Sequence, residues 1–317
     1  MNSISRISGA IIFGIIFSIA ACSNDQADQQ EIDLMKSVRP DIIATNAFYY
    51  YNDVDAAWRF YQDTLGFETV VDYGFAKILR IAESSYLTVV KADEGMHSAD
   101  EPKTVTLHLV TDELNRWYDY AIRQGLHSGS TSLGETSPPG NSFTVEDPEG
   151  YALKFTRYNP HPNHDSYVAS FAGVDPVLSS AGDMSVRATA FTVYYEDVKD
   201  VRSFFESLFE VESVGVLDGV PIYQLAGSGF IALQDYPGEL PAAPGENGMT
   251  LSFLSTNVDA WFGRATSSTG FELRTPEVLN EGGLVRVFVG YDPTGVFLEW
   301  DTFLDVPENQ VLLQYLQ

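Results

Sequence analysis

The sequence predicts an α+β protein made of two tandem domains, each assembled from two βαβββ modules. Three observations carry that expectation. The order strand, helix, three strands recurs along the chain, the second half repeats the first at a nearly constant offset, and one nine-residue stretch closes each half. That stretch reads Asp147-Pro148-Glu149-Gly150-Tyr151-Ala152-Leu153-Lys154-Phe155, and again Asp292-Pro293-Thr294-Gly295-Val296-Phe297-Leu298-Glu299-Trp300. Asp-Pro-x-Gly is turn chemistry, because Pro presets φ and Gly accepts positive φ, and the alternation that follows marks a strand leaving the turn.

At 317 residues the chain is long enough for two domains with their own cores. Its 44% apolar content and mean hydropathy of −0.07 describe a globular body rather than a multispan membrane protein. Residues 1–21 stand apart. Arg6 precedes an apolar run from Ile11 to Phe17 that is too short to cross a bilayer and reads as a secretion signal. The run meets Ile19-Ala20-Ala21-Cys22, which resembles a bacterial lipobox. That resemblance implies cleavage before Cys22, lipidation of its thiol, and anchoring in the bacterial cell envelope, on the periplasmic side; the alternative is an ordinary signal peptide with an incidental cysteine. Cys22 is the only cysteine, so neither an intrachain disulfide nor a Cys-rich zinc site is available. Residues 22–38 are polar and read as a tether.

Removal of the signal takes Arg6 and no acidic residue, leaving 17 basic against 44 acidic side chains and a net charge of −27. Such a surface repels phosphate backbones and anionic headgroups, so nucleic acid is excluded as a partner and contact with a lipid bilayer rests on Cys22.

The first domain is expected over 39–158. Alternating apolar and aromatic residues from Ile43 to Tyr51 predict a strand. Asn52-Asp53 is a helix start, followed by Val54, Ala57, Trp58, Tyr61 and Leu65 at helical spacing, and Gly66 stops the helix. Strands over 67–71, 76–81 and 86–90 complete a module. The second module has a strand over Val105 to Val110, a helix capped by Asp112 over Leu114 to Gln124 and stopped by Gly125, a strand near Phe143 to Val145, and the closing strand to Tyr158. A Pro- and Gly-bearing linker is expected over 159–185, the second domain over 186–305 and a tail over 306–317. Asp53 matches Asp197, Phe60 matches Phe204 and Trp117 matches Trp261, each 144 residues on, and Asp147 matches Asp292 at 145. An offset this constant indicates tandem duplication.

The stretch from Asp53-Val54-Asp55 through Phe60-Tyr61 to Leu65-Gly66-Phe67, together with the closing Asp-Pro-x-Gly strand, resembles the vicinal oxygen chelate superfamily, which includes glyoxalase I, bleomycin-resistance proteins and extradiol dioxygenases. The second half keeps both motifs but has Phe209-Glu210-Val211 where the family prefers Leu-Gly-Phe. The resemblance implies cupped sheets of two modules each, with domains pairing within or between chains. It also implies that metal-binding members place ligands on inward strand positions. Carried over by spacing, those positions are Asn46, Thr88, Thr106 and Lys154 in the first half and Ala190, Ala232, Thr250 and Glu299 in the second. Glu299 alone is a customary ligand type, and an ammonium at Lys154 opposes a cation.

His108 lies two residues beyond Thr106 on the same strand face, as a displaced ligand, a general base or a buried hydrogen-bonded histidine. His97, His127, His161 and His164 fall in loops. Lys154 is read either as a surface charge or as an inward cation needing a partner. Glu299 is read as a vestigial ligand, a base, or the partner of Arg286. Phe48 and Tyr50 share the face of Asn46, and Phe191, Val193 and Tyr195 are expected along the matching strand of the second half, giving an aromatic-lined cup for a small apolar or planar molecule.

These residues support a lipid-anchored protein that binds a small molecule without a metal or other cofactor, through Asn46, Phe48, Tyr50, Thr106, His108, Lys154, Thr250 and Glu299. The alternatives are an enzyme of lyase, isomerase or dioxygenase type using Glu299 or His108, and an envelope scaffold with filled cups.

Overall fold

The computed structural model describes residues 41–126, 133–136, 140–159, 165–217 and 220–317. The signal, Cys22 and the whole tether lie outside the described residues, as do His127, His161 and His164.

All four modules are present. The first comprises β1 (Ala44–Tyr51), α1 (Val54–Arg59), β2 (Glu68–Asp72), β3 (Ala76–Ala82) and β4 (Ser85–Lys91). Asp53 caps α1 by accepting the Ala56 amide at 2.9 Å, and the helix runs on through a π turn over Phe60–Thr64. The second comprises β5 (Val105–Val110), α2 (Leu114–Gln124), β6 (Gly134–Thr136), β7 (Gly140–Glu146) and β8 (Ala152–Tyr158). Its helix starts at Glu113 without a side-chain cap, because the expected cap, Asp112, instead receives the Arg187 guanidinium at 3.1 Å.

Residues 159–185 do more than link. They hold a helix, α3 (Asp165–Phe171), and a hairpin of β9 (Val177–Ser179) and β10 (Met184–Val186). The hairpin docks on Gly66, whose carbonyl accepts the Ser180 amide at 3.0 Å. A Cβ at Gly66, already at φ +72°, would stand 2.3 Å from the Ala181 nitrogen, so both backbone angle and contact demand glycine.

The third module comprises β11 (Ala188–Tyr195), α4 (Val198–Phe209), β12 (Gly215–Leu217), β13 (Val220–Gln224) and β14 (Gly229–Asp235). Its helix ends on Glu210 at φ +47°, a left-handed position where the family resemblance expects glycine. Glu210 is held there by Arg264 at 2.7 Å. The fourth module comprises β15 (Met249–Leu254), α5 (Val258–Thr266), short β16 (Glu272–Leu273) and β17 (Leu279–Glu281), β18 (Val285–Tyr291) and β19 (Phe297–Phe303), and a last helix α6 (Gln310–Tyr315) follows.

Each sheet contains two modules, as expected, but the partners come from opposite halves. Sheet A runs β16-β18-β19-β15-β1-β4-β3-β2, joining the fourth module to the first, and sheet B runs β12-β13-β14-β11-β5-β8-β7-β6, joining the third to the second. The seams are the antiparallel pairs β1/β15, with Asn46 opposite Ser252, and β5/β11, with His108 opposite Ala190. The module helices pair within their own halves, α1 with α2 and α4 with α5. Tyr120 on α2 donates to the Thr64 carbonyl at the end of the α1 turn (2.6 Å), and Arg264 on α5 donates to the Leu208 carbonyl on α4 (2.6 Å).

Sequence-distant strands therefore pair while sequence-near helices pack, and one apolar core joins both sheets. Trp117, Trp261 and Trp300 are fully buried in it, with Trp300 stacked on Phe288 at 4.8 Å. Each such side chain contributes about 1.5–3 kcal/mol relative to exposure.

Residues 41–158 expressed alone would leave β1 and β5 as open apolar edges, and the same holds for β11 and β15 in 186–317. Coexpressed, the two halves are expected to copurify as a one-to-one complex, while either alone aggregates or self-associates. Two separately folded monomers in size-exclusion chromatography would contradict this pairing.

Candidate functional site

Each sheet turns one face to the helices and the other into its cup. In β1 the residues Ala47, Tyr49 and Tyr51 enter the helix-packed core, so Ala44, Asn46, Phe48 and Tyr50 face cup A. The same alternation puts Thr88 of β4, Thr250, Ser252 and Leu254 of β15, and Phe297, Glu299 and Asp301 of β19 on that face. The strand crossing thus recombines the ligand positions read from the sequence. Asn46, Thr88, Thr250 and Glu299 meet in cup A, and Thr106, Lys154, Ala190 and Ala232 meet in cup B. The eight residues proposed as one ligand site are split: Asn46, Phe48, Tyr50, Thr250 and Glu299 in one cup, Thr106, His108 and Lys154 in the other.

Across the middle of cup A runs a polar row. Asn46 donates from Nδ2 to Thr88 Oγ1 at 2.9 Å, the Tyr50 and Thr250 hydroxyls are 2.8 Å apart, and Ser252 Oγ donates to Asp301 Oδ2 at 2.6 Å. Glu299 stands two residues from Asp301 on the same face and keeps partial solvent access, as does Phe48. Burial raises the pKa of both carboxyls. Asp301 is pushed up to about 7, with the hydrogen bonds from Ser252 and Glu299 opposing the rise. Glu299 is held well above the usual carboxylate range by burial first and by the Asp301 charge next. Two adjacent carboxyls in a poorly solvated site share a proton for the same reason that they cannot both ionise.

One end of the row is closed by a residue that sequence reasoning left in a loop. His97 is buried, edge-on to Phe297 at 4.4 Å and to Tyr50 at 5.0 Å, and its Nδ1 lies 2.6 Å from Glu101. Its Nε2 is buried with no hydrogen-bond partner, and burial pulls its pKa down despite Glu101. Only the fold brings this loop onto the β19 face. The available signal was the Glu four residues after the His, a spacing common on surfaces.

Cup B is different. Its apolar lining of Val110, Ala188, Ala190, Phe230 and Ala232 is filled by Tyr167 and Phe171 from α3, for which the two alanines leave room. His108 is buried beside Lys154, and burial with that neighbouring ammonium pushes its pKa down to about 3, so it stays neutral near physiological pH. Lys154 faces inward on β8, and Thr106 pairs with the Tyr194 hydroxyl at 3.2 Å.

Two expectations need correction. Phe191, Val193 and Tyr195 lie in the helix-packed core, because the inward residues of β11 are those in register with Ala190. Arg286 points to the helix side of β18 and forks onto Asp259, with one bond at 2.7 Å, so it is not the partner of Glu299.

The cup A residues do not fit a transition ion. Asn46 and Thr88 satisfy each other, threonine and asparagine are weak ligands, and no cluster of three His, Cys, Asp or Glu converges among the described residues.

The carboxyl pair makes a pH prediction with a definite sign. Asp301 has a higher pKa folded than unfolded, so the folded state holds more protons, and the stability present at low pH is lost as pH rises from about 4 through 7, by at most about 4 kcal/mol. Asp301→Asn is expected to flatten this part of the stability profile in urea melts between about pH 4.5 and 7.5; an unchanged slope would contradict the shared proton.

Residues 43–155 match the model of the Glyoxalase/Bleomycin resistance protein/Dioxygenase superfamily. No curated protein sequence matches the chain. Among solved structures, a proposed dioxygenase from Bacillus subtilis aligns over 84% of this chain and 86% of its own at 13% identity and TM-score 0.58. A point mutant of glyoxalase I from Zea mays aligns over 91% of this chain and 99% of its own at 12% identity and TM-score 0.58. Unmutated Zea mays glyoxalase I aligns over 90% and 98% at 12% identity and TM-score 0.55. Identities this low speak to the fold alone. Residues 43–155 thus carry the match to the glyoxalase/bleomycin resistance protein/dioxygenase superfamily, and the four βαβββ modules share the fold of these solved structures.

Proposed function

We propose that the protein binds a small molecule in cup A without a resident metal, and that it does so tethered to the bacterial envelope through Cys22. The observation that carries this reading is the contrast between the cups. Tyr167 and Phe171 fill cup B, whereas cup A holds a polar row of Asn46, Thr250 and Glu299 beside the accessible Phe48. A few convergent polar groups on an aromatic wall suit orientation of a modest organic ligand.

A thermal-shift screen of small metabolites tests it. A hit is expected to survive chelator, to weaken in Asn46→Leu, and to be indifferent to His108→Leu in the filled cup. Zinc, iron, manganese or nickel retained stoichiometrically through dialysis would overturn the metal-independent reading.

The shared proton of Glu299 and Asp301 favours a second reading, a metal-independent acid–base enzyme. A carboxyl titrating near neutrality can give and take a proton at the pH of its surroundings. If a substrate is found, Glu299→Gln should lower kcat by about a hundredfold or more with little change in folding; full activity in that variant excludes the role.

A further inference from the structure

The duplication extends beyond the modules into the two helices that follow them. Tyr167 and Phe171 on and at the end of α3 lie 145 residues before Leu312 and Leu316 of the α6 segment. Tyr167 and Phe171 pack on Val110, Ala188 and Phe230, and Leu312 and Leu316 pack on Leu254, Ala44 and Tyr86, the residues 144 positions away in each case. Both helices therefore plug the same end of their cups.

The plugs differ in size. Beside α3 the cleft measures about 250 Å³ and is walled by Val110, Tyr158, Val168 and Phe171. Beside α6 the matching cleft measures about 530 Å³, with Leu254, Phe303, Leu313 and Leu316 at the equivalent places. Leu316 stands where the other cup has the Phe171 ring, and the larger cleft also takes in Asp305, Gln310, Gln314 and Gln317. The cleft beside α6 also reaches Asp301, whereas the corresponding residue in sheet B is Thr156.

Asp301 is 2% exposed and adjoins Glu299, and among the described residues no lysine or arginine forms an ion pair with either. The nearest basic influence is the exposed Arg274, which lies over the Phe297 ring at 5.2 Å. A cleft that sets apolar side chains beside Asp301, a buried carboxyl without a basic partner, suits a cation carried on an apolar body. The net charge of −26 would concentrate cations at its mouth.

We propose that this cleft takes an amphipathic amine, its apolar body against Leu254, Phe303, Leu313 and Leu316 and its ammonium on Asp301. The proposal rests on the reading of cup A as the binding cup and gives that ligand a chemical class. The shared proton supports it, since an arriving ammonium takes the place of that proton and releases it to solvent.

Isothermal titration of the full chain with n-hexylamine, n-hexanol and hexanoate tests the assignment. Hexylamine is expected to bind at least about tenfold more tightly than either other probe, more tightly as pH rises from about 5.5 to 7.5, and without that preference in Asp301→Asn. Leu316→Phe, which restores the plug of the other cup, is expected to weaken all three probes and serves if Asp301→Asn fails to fold. Asp305 is the other carboxylate lining this cleft, exposed and already bound by Gln310, and Asp305→Asn should change affinity less than about twofold; a larger loss there than in Asp301→Asn overturns the placement of the ammonium on Asp301. Equal affinity for hexanol or hexanoate overturns the amine assignment and leaves cup A a binding site. If none of the three binds, the amine assignment falls, and cup A is then judged by the metabolite screen alone.

Discussion

The arrangement depends on a buried carboxylate in each closing turn. Asp147 Oδ1 accepts the amides of Glu149 and Tyr151 at 3.0 and 2.9 Å, which shapes the Asp-Pro-x-Gly turn. Its Oδ2 accepts the hydroxyls of Tyr51 at 2.5 Å and Tyr61 at 2.9 Å, which belong to the first module and hence to the other sheet. Hydrogen bonds to a charged group are each worth about 1.5–3 kcal/mol; burial still raises the Asp147 pKa, and these bonds limit the rise. Tyr151 in the same turn stacks on Tyr49 at 3.9 Å and accepts the Tyr50 amide at 2.8 Å. Asp292 repeats the device, closing its own turn on Thr294 and Val296 and facing Tyr195 of the third module.

Those turns bind modules within a half, and the seams bind modules across halves. The two systems are interlocked, so no half of the chain is a structural unit. Near the relation between the halves, Ser84 and Ser228, 144 residues apart, exchange equivalent bonds of 2.7 Å between backbone amide and hydroxyl. A reciprocal contact between repeat-related residues is what a pseudo-twofold relation requires. The duplicated sequence therefore folds as an internal dimer.

Duplication freed the two cups to diverge. In cup B, Ala190 and Ala232 make room for Tyr167, and His108 is sealed in a neutral state beside Lys154. In cup A, the same strand positions carry Asn46 and Thr88, the plug is thinner, and β19 places Glu299 and Asp301 side by side. One scaffold thus uses one cup for packing and keeps polar chemistry in the other.

Much of the architecture was legible in the sequence because its causes are local. Asp53 caps α1, Gly125 ends α2 with φ +71°, and the Asp-Pro-x-Gly turns launch β8 and β19, all through contacts within a few residues. The inward direction of Asn46, Thr250 and Glu299 was equally legible, since strand alternation follows from position alone. Which inward residues meet was not, because each half carries the same strands and either pairing satisfies the same periodicity. Only tertiary packing decides that Glu299 faces Asn46 rather than Ala190, that Arg286 turns to Asp259, and that the loop bearing His97 lies on Phe297. The sequence by itself determined the modules and the faces of their strands, which depend on short-range sterics; the tertiary structure determined the partners, which depend on how four nearly equivalent modules share one core.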